Sequence, residues 1–190
     1  MTHPVAPAAV LFDCDGVLAD SEGLVNALVA AELTGRGWPI SAAEAQRTFL
    51  GLALPDMIPL IEARTGPLPD GWSEDLSRLI ALRMEHEAVP IAGAVEAVLA
   101  IAAAGIPVAV ASNSARRELA TKMRALGLAT VFGARIFSFE DVDRPKPWPD
   151  IYLAAAQSCG AAPADCVVIE DSVPGVRAGR AAGCRVMGLA

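Results

Sequence analysis

Residues 8–16 have the sequence AAVLFDCDG, and this stretch decides the fold. Its apolar run of five residues is typical of a short strand that is buried on both faces of a sheet. Asp13, Asp15 and Gly16 then end the strand in a tight turn. A buried strand of this kind predicts a parallel sheet within an α/β fold.

Four further segments resemble this strand and predict the rest of the core sheet: residues 106–111, 135–139, 166–169 and 185–189. Predicted helices lie between them at residues 94–104, 115–126 and 149–158. Gly105 and Gly127 end the first two helices, while the third has Pro149 near its start and Gly160 beyond its end. The alternation from residue 91 onward predicts right-handed β-α-β units, which form a Rossmann-like parallel sheet core flanked by helices.

Residues 21–89 interrupt this alternation because they are helical throughout, with predicted helices at 22–34, 42–49, 55–64 and 73–87. We therefore expect an α/β core domain of residues 1–20 and 90–190. A small all-α cap domain of residues 21–89 is inserted in it after the first strand. Two linkers, residues 16–21 and 89–93, tether the insertion, so we expect a lid over the catalytic strand ends.

Polar residues that follow the apolar runs are the candidates for function. They are Asp13 and Asp15, Ser112, Lys146, and Glu170 with Asp171. In an open α/β sheet, functional groups gather at the carboxyl ends of the strands, so these residues should converge on one place. Four carboxylates, a lysine and a hydroxyl at one place predict a magnesium-dependent phosphoryl-transfer site.

Each of these signals also has an ordinary structural explanation. Asp-x-Asp-Gly is a common turn, and Ser112 could cap the helix that begins at residue 115, although Ser114 is the better candidate for the cap. Lys146 lies between two prolines that stiffen its loop. We therefore expect its ammonium to be buried near the carboxylates rather than exposed to solvent.

Three glycines recur at every fourth position after the acidic pair: Gly175, Gly179 and Gly183. Their spacing matches no dinucleotide-binding fingerprint. We expect them to form one face of a helix that packs close to the sheet.

Charge and composition exclude several classes of protein. The formal net charge of −7 leaves no electrostatic footprint for a nucleic-acid partner. His3 and His86 match no zinc-ligand spacing. Cys14, Cys159 and Cys166, like Cys184, show no C-x-x-C spacing and are expected to be small buried thiols in a reducing compartment.

The sequence also predicts where the protein acts. Its first residues lack the basic region and cleavage site of a secretory signal. The most apolar later stretch, residues 94–111, contains Glu96, Gly105 and Pro107, which favours helix, turn and strand over a membrane span. We expect a cytoplasmic protein without a membrane partner, either a monomer or a weak homodimer.

Four motifs in register resemble the haloacid dehalogenase (HAD) superfamily. They are DCDGVLADSE at residues 13–22, VAVASNS at 108–114, RPKPWPDIY at 144–152 and VVIEDSVPGVRAGRAAG at 167–183. The resemblance covers nearly the whole chain, including the position of the helical cap. Relatives usually continue beyond the fifth core strand, whereas this sequence stops at Ala190, so a truncated sequence is one expectation.

The resemblance implies a role for each site residue. Asp13 is the nucleophile that forms an aspartyl-phosphate, and Asp15 is the general acid and then the base. Mg²⁺ is held by Asp13, the backbone carbonyl of Asp15, and one or both of Glu170 and Asp171.

The substrate is expected to be a small phosphorylated metabolite. Ser112 and Lys146 would bind and stabilise its phosphoryl group. Candidates for its remaining contacts are Asn26, Arg47 and Leu52 from the cap, and Asn113 and Arg116 from the core.

The resemblance leaves three alternatives to a phosphatase. Dehalogenases of the superfamily typically lack the second aspartate, so Asp15 favours phosphate chemistry. The β-phosphoglucomutase branch typically has a histidine early in the first cap helix and an arginine after the glycine turn of the cap. The sequence here has SEGLV at residues 21–25 and GLAL at 51–54, so a phosphatase is favoured over a mutase. A non-catalytic phosphate-binding or regulatory protein remains the third alternative.

Overall fold

The computed structural model describes residues 6–189, without the side chains of Glu22 and His86. His3 and the His86 imidazole, on which the argument against zinc rests, therefore lie outside the described residues. The elements run along the chain in the order that the α/β pattern predicts, with a helical segment between the first two core strands.

The core is a five-stranded parallel sheet, which confirms the predicted fold class. Its strands are β1 (Ala9–Phe12), β4 (Val108–Ala111), β5 (Ile136–Phe137), β6 (Cys166–Glu170) and β7 (Arg185–Gly188). They lie in the order β5-β4-β1-β6-β7, so β1 is central. Val10 pairs with Val108 on one side and with Val167 on the other. All four residues of β1 are buried, as its continuous apolar run predicts.

Helices cover both faces of the sheet: α5 (Ala94–Ala103), α6 (Arg116–Ala125), α7 (Ala129–Phe132), α8 (Asp150–Ser158) and α9 (Val173–Ala181). Alternate residues of β1 point to opposite faces. Val10 and Phe12 therefore pack with α5, α6 and α7. Ala9 and Leu11 pack with α8 and α9. The central strands of the sheet are thus held between two apolar layers, and their carboxyl ends are open to polar chemistry.

A helical module, which we define as α1 to α4, lies between the first two core strands. Its helices are α1 (Glu22–Gly35), α2 (Ala42–Phe49), α3 (Leu54–Thr65) and α4 (Trp72–Glu87). They bury a separate apolar cluster that includes Leu33, Ile61 and Met84. The two connections to the core pair as an antiparallel ribbon of β2 (Ala19–Asp20) and β3 (Val89–Pro90).

Two predicted local features are wrong. The predicted strand 135–139 is only two residues long, because Ser138 and Asp141 form a capping box that starts a short 3₁₀ helix. Ser114 does not cap α6, since the N-cap is Ala115. The side chain of Glu140 instead accepts a hydrogen bond from the first helical N–H, that of Arg116, at 2.9 Å.

The prediction that three glycines form a closely packed face of α9 is confirmed for two of them, Gly175 and Gly179. A methyl group on Gly179 would lie 2.9 Å from Val186 and 3.2 Å from Val168, so this helix packs closely on the sheet only because Gly179 lacks a side chain. Gly175 faces Glu170 in the same way. Gly183 is different, because it ends the helix at φ +85° with no atom near its Cβ direction.

In the part of the chain that the structure describes, no helix combines the length and the apolar character needed to cross a membrane. The four cysteines are all unpaired.

Candidate active site

The carboxyl ends of three neighbouring strands carry the predicted polar groups. Asp13 follows β1, Ser112 follows β4, and Glu170 is the last residue of β6. Lys146 reaches the same place from a loop that begins well after β5 ends. The prediction that it directly follows a strand is therefore wrong. The sheet therefore gathers these residues from distant parts of the sequence, as the strand-end rule predicts.

Lys146 is the central contact of the site. Its ammonium donates to Asp13 Oδ1 at 2.6 Å, to Glu170 Oε1 at 2.7 Å and to the carbonyl oxygen of Ala111 at 2.8 Å. Only 3% of its side chain is exposed, so a single geometry holds it. Burial opposes the charge, but Asp13 and Glu170 outweigh burial and raise the pKa of Lys146 well above its usual value.

Glu170 has both carboxylate oxygens occupied. Oε1 accepts from Lys146 and from the hydroxyl of Tyr152 at 2.8 Å. Oε2 accepts from the backbone N–H groups of Asp171 and Ser172 and from the Ser172 hydroxyl, at 2.9 to 3.1 Å. Glu170 is therefore a rigid anchor that aims Lys146 at Asp13.

The acidic groups beside Lys146 fit a divalent cation. Asp13, Glu170 and Asp171 each offer a carboxylate oxygen within 4.8 Å of the other two. Burial raises the pKa of Asp13, Lys146 lowers it, and the negative charges of Glu170 and Asp15 raise it further, with a net upward shift. An ionised Asp13 therefore needs more positive charge than Lys146 supplies. A hard cation with oxygen ligands would provide that charge.

Asp15 belongs to a second buried network. Its Oδ1 accepts from Lys122 at 2.5 Å and from the Ser21 hydroxyl. Its Oδ2 accepts from Ser114 at 2.8 Å and from Ser112 at 3.3 Å. Burial would raise the pKa of Asp15, but the charge and hydrogen bond of Lys122 and the hydroxyls of Ser21 and Ser114 outweigh it and lower this pKa to about 2. Asp15 is therefore ionised in this arrangement.

Lys122 is the main residue that sequence analysis missed. Its side chain is 0% exposed, and the ammonium also contacts Ser114 at 3.0 Å and Glu118. The available signal was the Glu118–Lys122 spacing of four residues on a predicted helix, which brings the two side chains together. The same spacing occurs on exposed helix faces, so it could not show that this pair lies against Asp15.

Asn113 joins the loop of Lys146 to the helical module. Its amide nitrogen donates to the carbonyl oxygens of Gly51 and Lys146 at 3.0 and 3.1 Å, and its Oδ1 accepts from the Lys146 N–H at 3.1 Å. The predicted substrate contact is thus also a link between two parts of the chain.

The two arginines predicted to contact the substrate lie elsewhere. The Arg116 guanidinium is exposed and forms ion pairs with Asp141 at 2.6 Å and Glu140 at 3.8 Å. Arg47 is exposed on α2, and the residue of that helix that reaches the cavity is its neighbour Gln46. Neither arginine is among the described residues that line the cavity.

A cavity of about 150 Å³ separates this polar floor from the helical module. Asp13, Asp15, Ser112, Lys146 and Asp171 line it on the core side. Side chains of all four module helices line the other side, so a molecule held there would contact both parts of the chain.

The fit of Glu170 against α9 yields a first prediction. A methyl group on Gly175 would lie 1.6 Å from Glu170 Oε1, so Gly175→Ala must displace the anchor of Lys146. We expect a loss of about 1–3 kcal/mol in the free energy of unfolding, as for other overpacked sites. Thermal denaturation checks this. Gly23→Ala is the control, because the same methyl enters open space there. Equal stability of Gly175→Ala and the wild type would contradict the packing described.

Together, the fold and the site define a class of protein. A buried carboxylate is aligned by a lysine at the carboxyl ends of a parallel sheet, beside further carboxylates that are compatible with a divalent cation. This is the arrangement of a phosphoryl-transfer enzyme.

Comparison with known proteins gives the family. The haloacid dehalogenase-like hydrolase family matches residues 7–183, so the chain belongs to it. The chain is 30% identical over 182 residues to 6-phosphogluconate phosphatase of Escherichia coli, covering 94% of this chain and 80% of that protein. It is 32% identical over 185 residues to bifunctional riboflavin kinase/FMN phosphatase of Arabidopsis thaliana, covering 96% of this chain but only 48% of that protein.

A solved structure from the same family also matches the chain. The crystal structure of a HAD family hydrolase from Deinococcus radiodurans, with bound phosphate and sodium, superposes with a TM-score of 0.73 at 36% identity. The match covers 97% of this chain and 81% of that one.

Proposed function

We propose that this protein is a magnesium-dependent phosphatase that hydrolyses a small phosphorylated metabolite through an aspartyl-phosphate on Asp13. The observation that carries the proposal is the contact of Lys146 with Asp13 at the end of the central strand. Lys146 holds Oδ1, so Oδ2 is the oxygen that would attack phosphorus. Both relatives described above are named as phosphatases.

Asp13, Asp171 and the backbone carbonyl of Asp15 are the groups that we propose hold Mg²⁺. Glu170 is the weaker candidate, because five donors already engage its two oxygens. When bound, the cation would neutralise the carboxylates and draw electron density from the phosphoryl oxygens. A methyl group on Gly16 would lie 1.8 Å from Asp171 Oδ2, so this glycine leaves room for the carboxylate.

The first half of the reaction forms the covalent intermediate. Asp13 attacks phosphorus, the bond to the ester oxygen breaks, and the leaving oxygen takes the proton that Asp15 carries in its acid form. Lys146 and the Ser112 hydroxyl stabilise the charge that builds up on the phosphoryl oxygens. In the second half, water attacks the same phosphorus, its proton passes to Asp15, and the bond to Asp13 breaks.

The described arrangement keeps Asp15 as a carboxylate, the form that accepts a proton in the second half. Lys122, Ser21 and Ser114 stabilise this charge, and because they lower the pKa of Asp15 they also weaken it as a base. For Asp15 also to donate the proton in the first half, it must take up a proton and exchange these hydrogen bonds when the substrate binds.

A comparison of leaving groups tests Asp15 as the acid. Asp15→Asn should lower kcat/KM for a sugar phosphate by about 10²–10⁴-fold, the usual contribution of acid–base catalysis. The loss should be smaller for p-nitrophenyl phosphate, since its phenoxide leaves without a proton. Equal losses on both esters would count against this role.

We also propose that residues 21–89 act as a cap on a core of residues 1–20 and 90–190. The separate apolar cluster of the helical module and its two-stranded connection support this division. The Asn113 contact with Gly51 ties the module to the loop that carries Lys146. A closed cap would exclude water and limit the size of the substrate.

Arg47 supplies a prediction about the cap. Because it is exposed and outside the cavity lining, Arg47→Ala should leave KM for the best substrate unchanged. Gln46→Ala, one residue earlier, should raise that KM. Steady-state kinetics of the two variants shows which residue of α2 contacts the substrate. A raised KM in Arg47→Ala alone would mean that α2 presents its other face to the substrate.

An assay with and without Mg²⁺ tests the proposed function. Phosphate release from p-nitrophenyl phosphate should require the cation, stop with EDTA and return when Mg²⁺ is restored. A phosphomutase has less support, since the relatives described here are phosphatases. A regulatory protein would release no phosphate.

The unpaired thiols fit a reducing compartment, so we propose that the protein acts in the cytoplasm. We also propose that it is a monomer or a weak homodimer.

A further inference from the structure

The wall of the cavity that faces the catalytic residues is mostly apolar. The helical module lines it with seven apolar side chains, among them Val25, Val29 and Met57. Its two side-chain amides at the cavity are those of Asn26 and Gln46. The described side chains of this wall can pack against carbon and donate or accept a few hydrogen bonds, but they carry no charge.

Positive charge at the cavity comes from the core side. Lys146 is the basic residue among the described side chains that line it, and its ammonium is already bound to Asp13 and Glu170. The sequence has only one other lysine, Lys122, which is bound to Asp15 and Glu118. The positive charge is therefore committed to the end of the cavity that would hold the phosphoryl group.

The arginines of the helical module are directed elsewhere. Three of them form ion pairs with an acidic residue three or four positions away: Arg36 with Glu32, Arg78 with Asp75, and Arg83 with Glu87. Arg64 lies over the ring of Trp38, 4.4 Å from its centroid. Arg47 is exposed on α2. The part of the wall that the structure describes is thus uncharged, although the module is rich in arginine.

This difference between the two walls limits the substrate. A carboxylate or second phosphate next to Val25, Val29 or Met57 would lose its hydration and gain no cationic partner, which strongly disfavours binding. Hydroxyl groups could still bond to Asn26 and Gln46. We propose, on the basis of the phosphatase function above, that the substrate is a phosphomonoester of an uncharged alcohol with an apolar face. Esters that carry a second anionic group are rejected.

Matched esters test the inference on the wild-type protein. Glucitol 6-phosphate and 6-phosphogluconate differ at one end, where a hydroxymethyl group replaces a carboxylate. Glucose 6-phosphate and glucose 1,6-bisphosphate form a second pair. In each pair we expect kcat/KM to favour the ester without the second charge by at least about a hundredfold, the discrimination of a pocket that rejects one polar group.

The outcomes separate this inference from the proposed function. Equal or greater kcat/KM for 6-phosphogluconate, with Mg²⁺-dependent hydrolysis of p-nitrophenyl phosphate, would overturn the substrate class and leave the phosphatase intact. Failure to hydrolyse p-nitrophenyl phosphate and all four esters would overturn both. Calorimetry with the Asp13→Asn variant adds a binding readout, in which glucitol 6-phosphate should bind more tightly than 6-phosphogluconate.

A gain of charge tests the wall directly. Gln46→Arg places a cation at the cavity and should raise kcat/KM for 6-phosphogluconate by about tenfold, as one charge-assisted hydrogen bond would. Ala43→Arg adds the same charge to an exposed position of α2 and should have no effect. An equal gain in both variants would show a general effect of charge and contradict the role of the wall.

Discussion

Replacing Asp13 with asparagine is expected to lower kcat by roughly 10⁴–10⁶-fold, the range seen when one member of a catalytic triad is removed. The amide has nearly the same shape, so Lys146 can still donate to its oxygen. It is a poor nucleophile, however, and a neutral metal ligand. The fold should survive, because Glu170 and the Ala111 carbonyl still bind Lys146. Steady-state kinetics and circular dichroism together check both parts of this expectation.

Asp56→Asn is the matched control, since Asp56 is exposed on α3. It should keep the wild-type kcat. Near wild-type turnover by Asp13→Asn would exclude Asp13 as the nucleophile. A variant that loses its circular dichroism signal would instead show that the loss of activity follows from unfolding.

Lys122→Met is expected to destabilise the protein by about 3–5 kcal/mol, the usual consequence of removing one partner of a buried ion pair. Methionine fills much of the space of the lysine but leaves the Asp15 and Glu118 carboxylates without their shared cation. Glu118 is itself buried, so its charge cannot be solvated in place. Denaturant unfolding measures the change in free energy.

A double-mutant cycle separates the charge from the packing. Adding Glu118→Gln to Lys122→Met should recover part of the lost stability, because one unpaired charge disappears. Arg117→Met removes an exposed cation from the same helix and should be nearly neutral. If Lys122→Met were as stable as Arg117→Met, Lys122 would not stabilise this network.

The sequence predicted the sheet and the core of the site because both follow from short-range patterns. Apolar runs of four to six residues located the strands. Because functional groups gather at the carboxyl ends of strands, Asp13 and Glu170 were predicted to lie close together. The two prolines beside Lys146 correctly indicated a buried side chain. The glycine at position 179 was also interpreted correctly, as a place of close packing.

The features that sequence analysis missed depend on how helices are oriented. Successive residues of a helix are 100° apart, so choosing Gln46 rather than Arg47 requires knowing which face of α2 meets the cavity. The burial of Lys122 depends in the same way on which face of α6 lies against Asp15. Arg116 was misplaced because its acidic partners, Glu140 and Asp141, are 24 and 25 residues further along the chain, and no local pattern shows that they lie beside it.

Trapping the covalent intermediate tests the account most directly. The protein is mixed with Mg²⁺ and a good substrate, quenched in acid during turnover, digested and analysed by mass spectrometry. We expect one phosphoryl group on the peptide that contains Asp13, lost on treatment with hydroxylamine and absent from Asp13→Asn. Turnover with no phosphorylated peptide, or with the phosphoryl group on another residue, would contradict nucleophilic attack by Asp13.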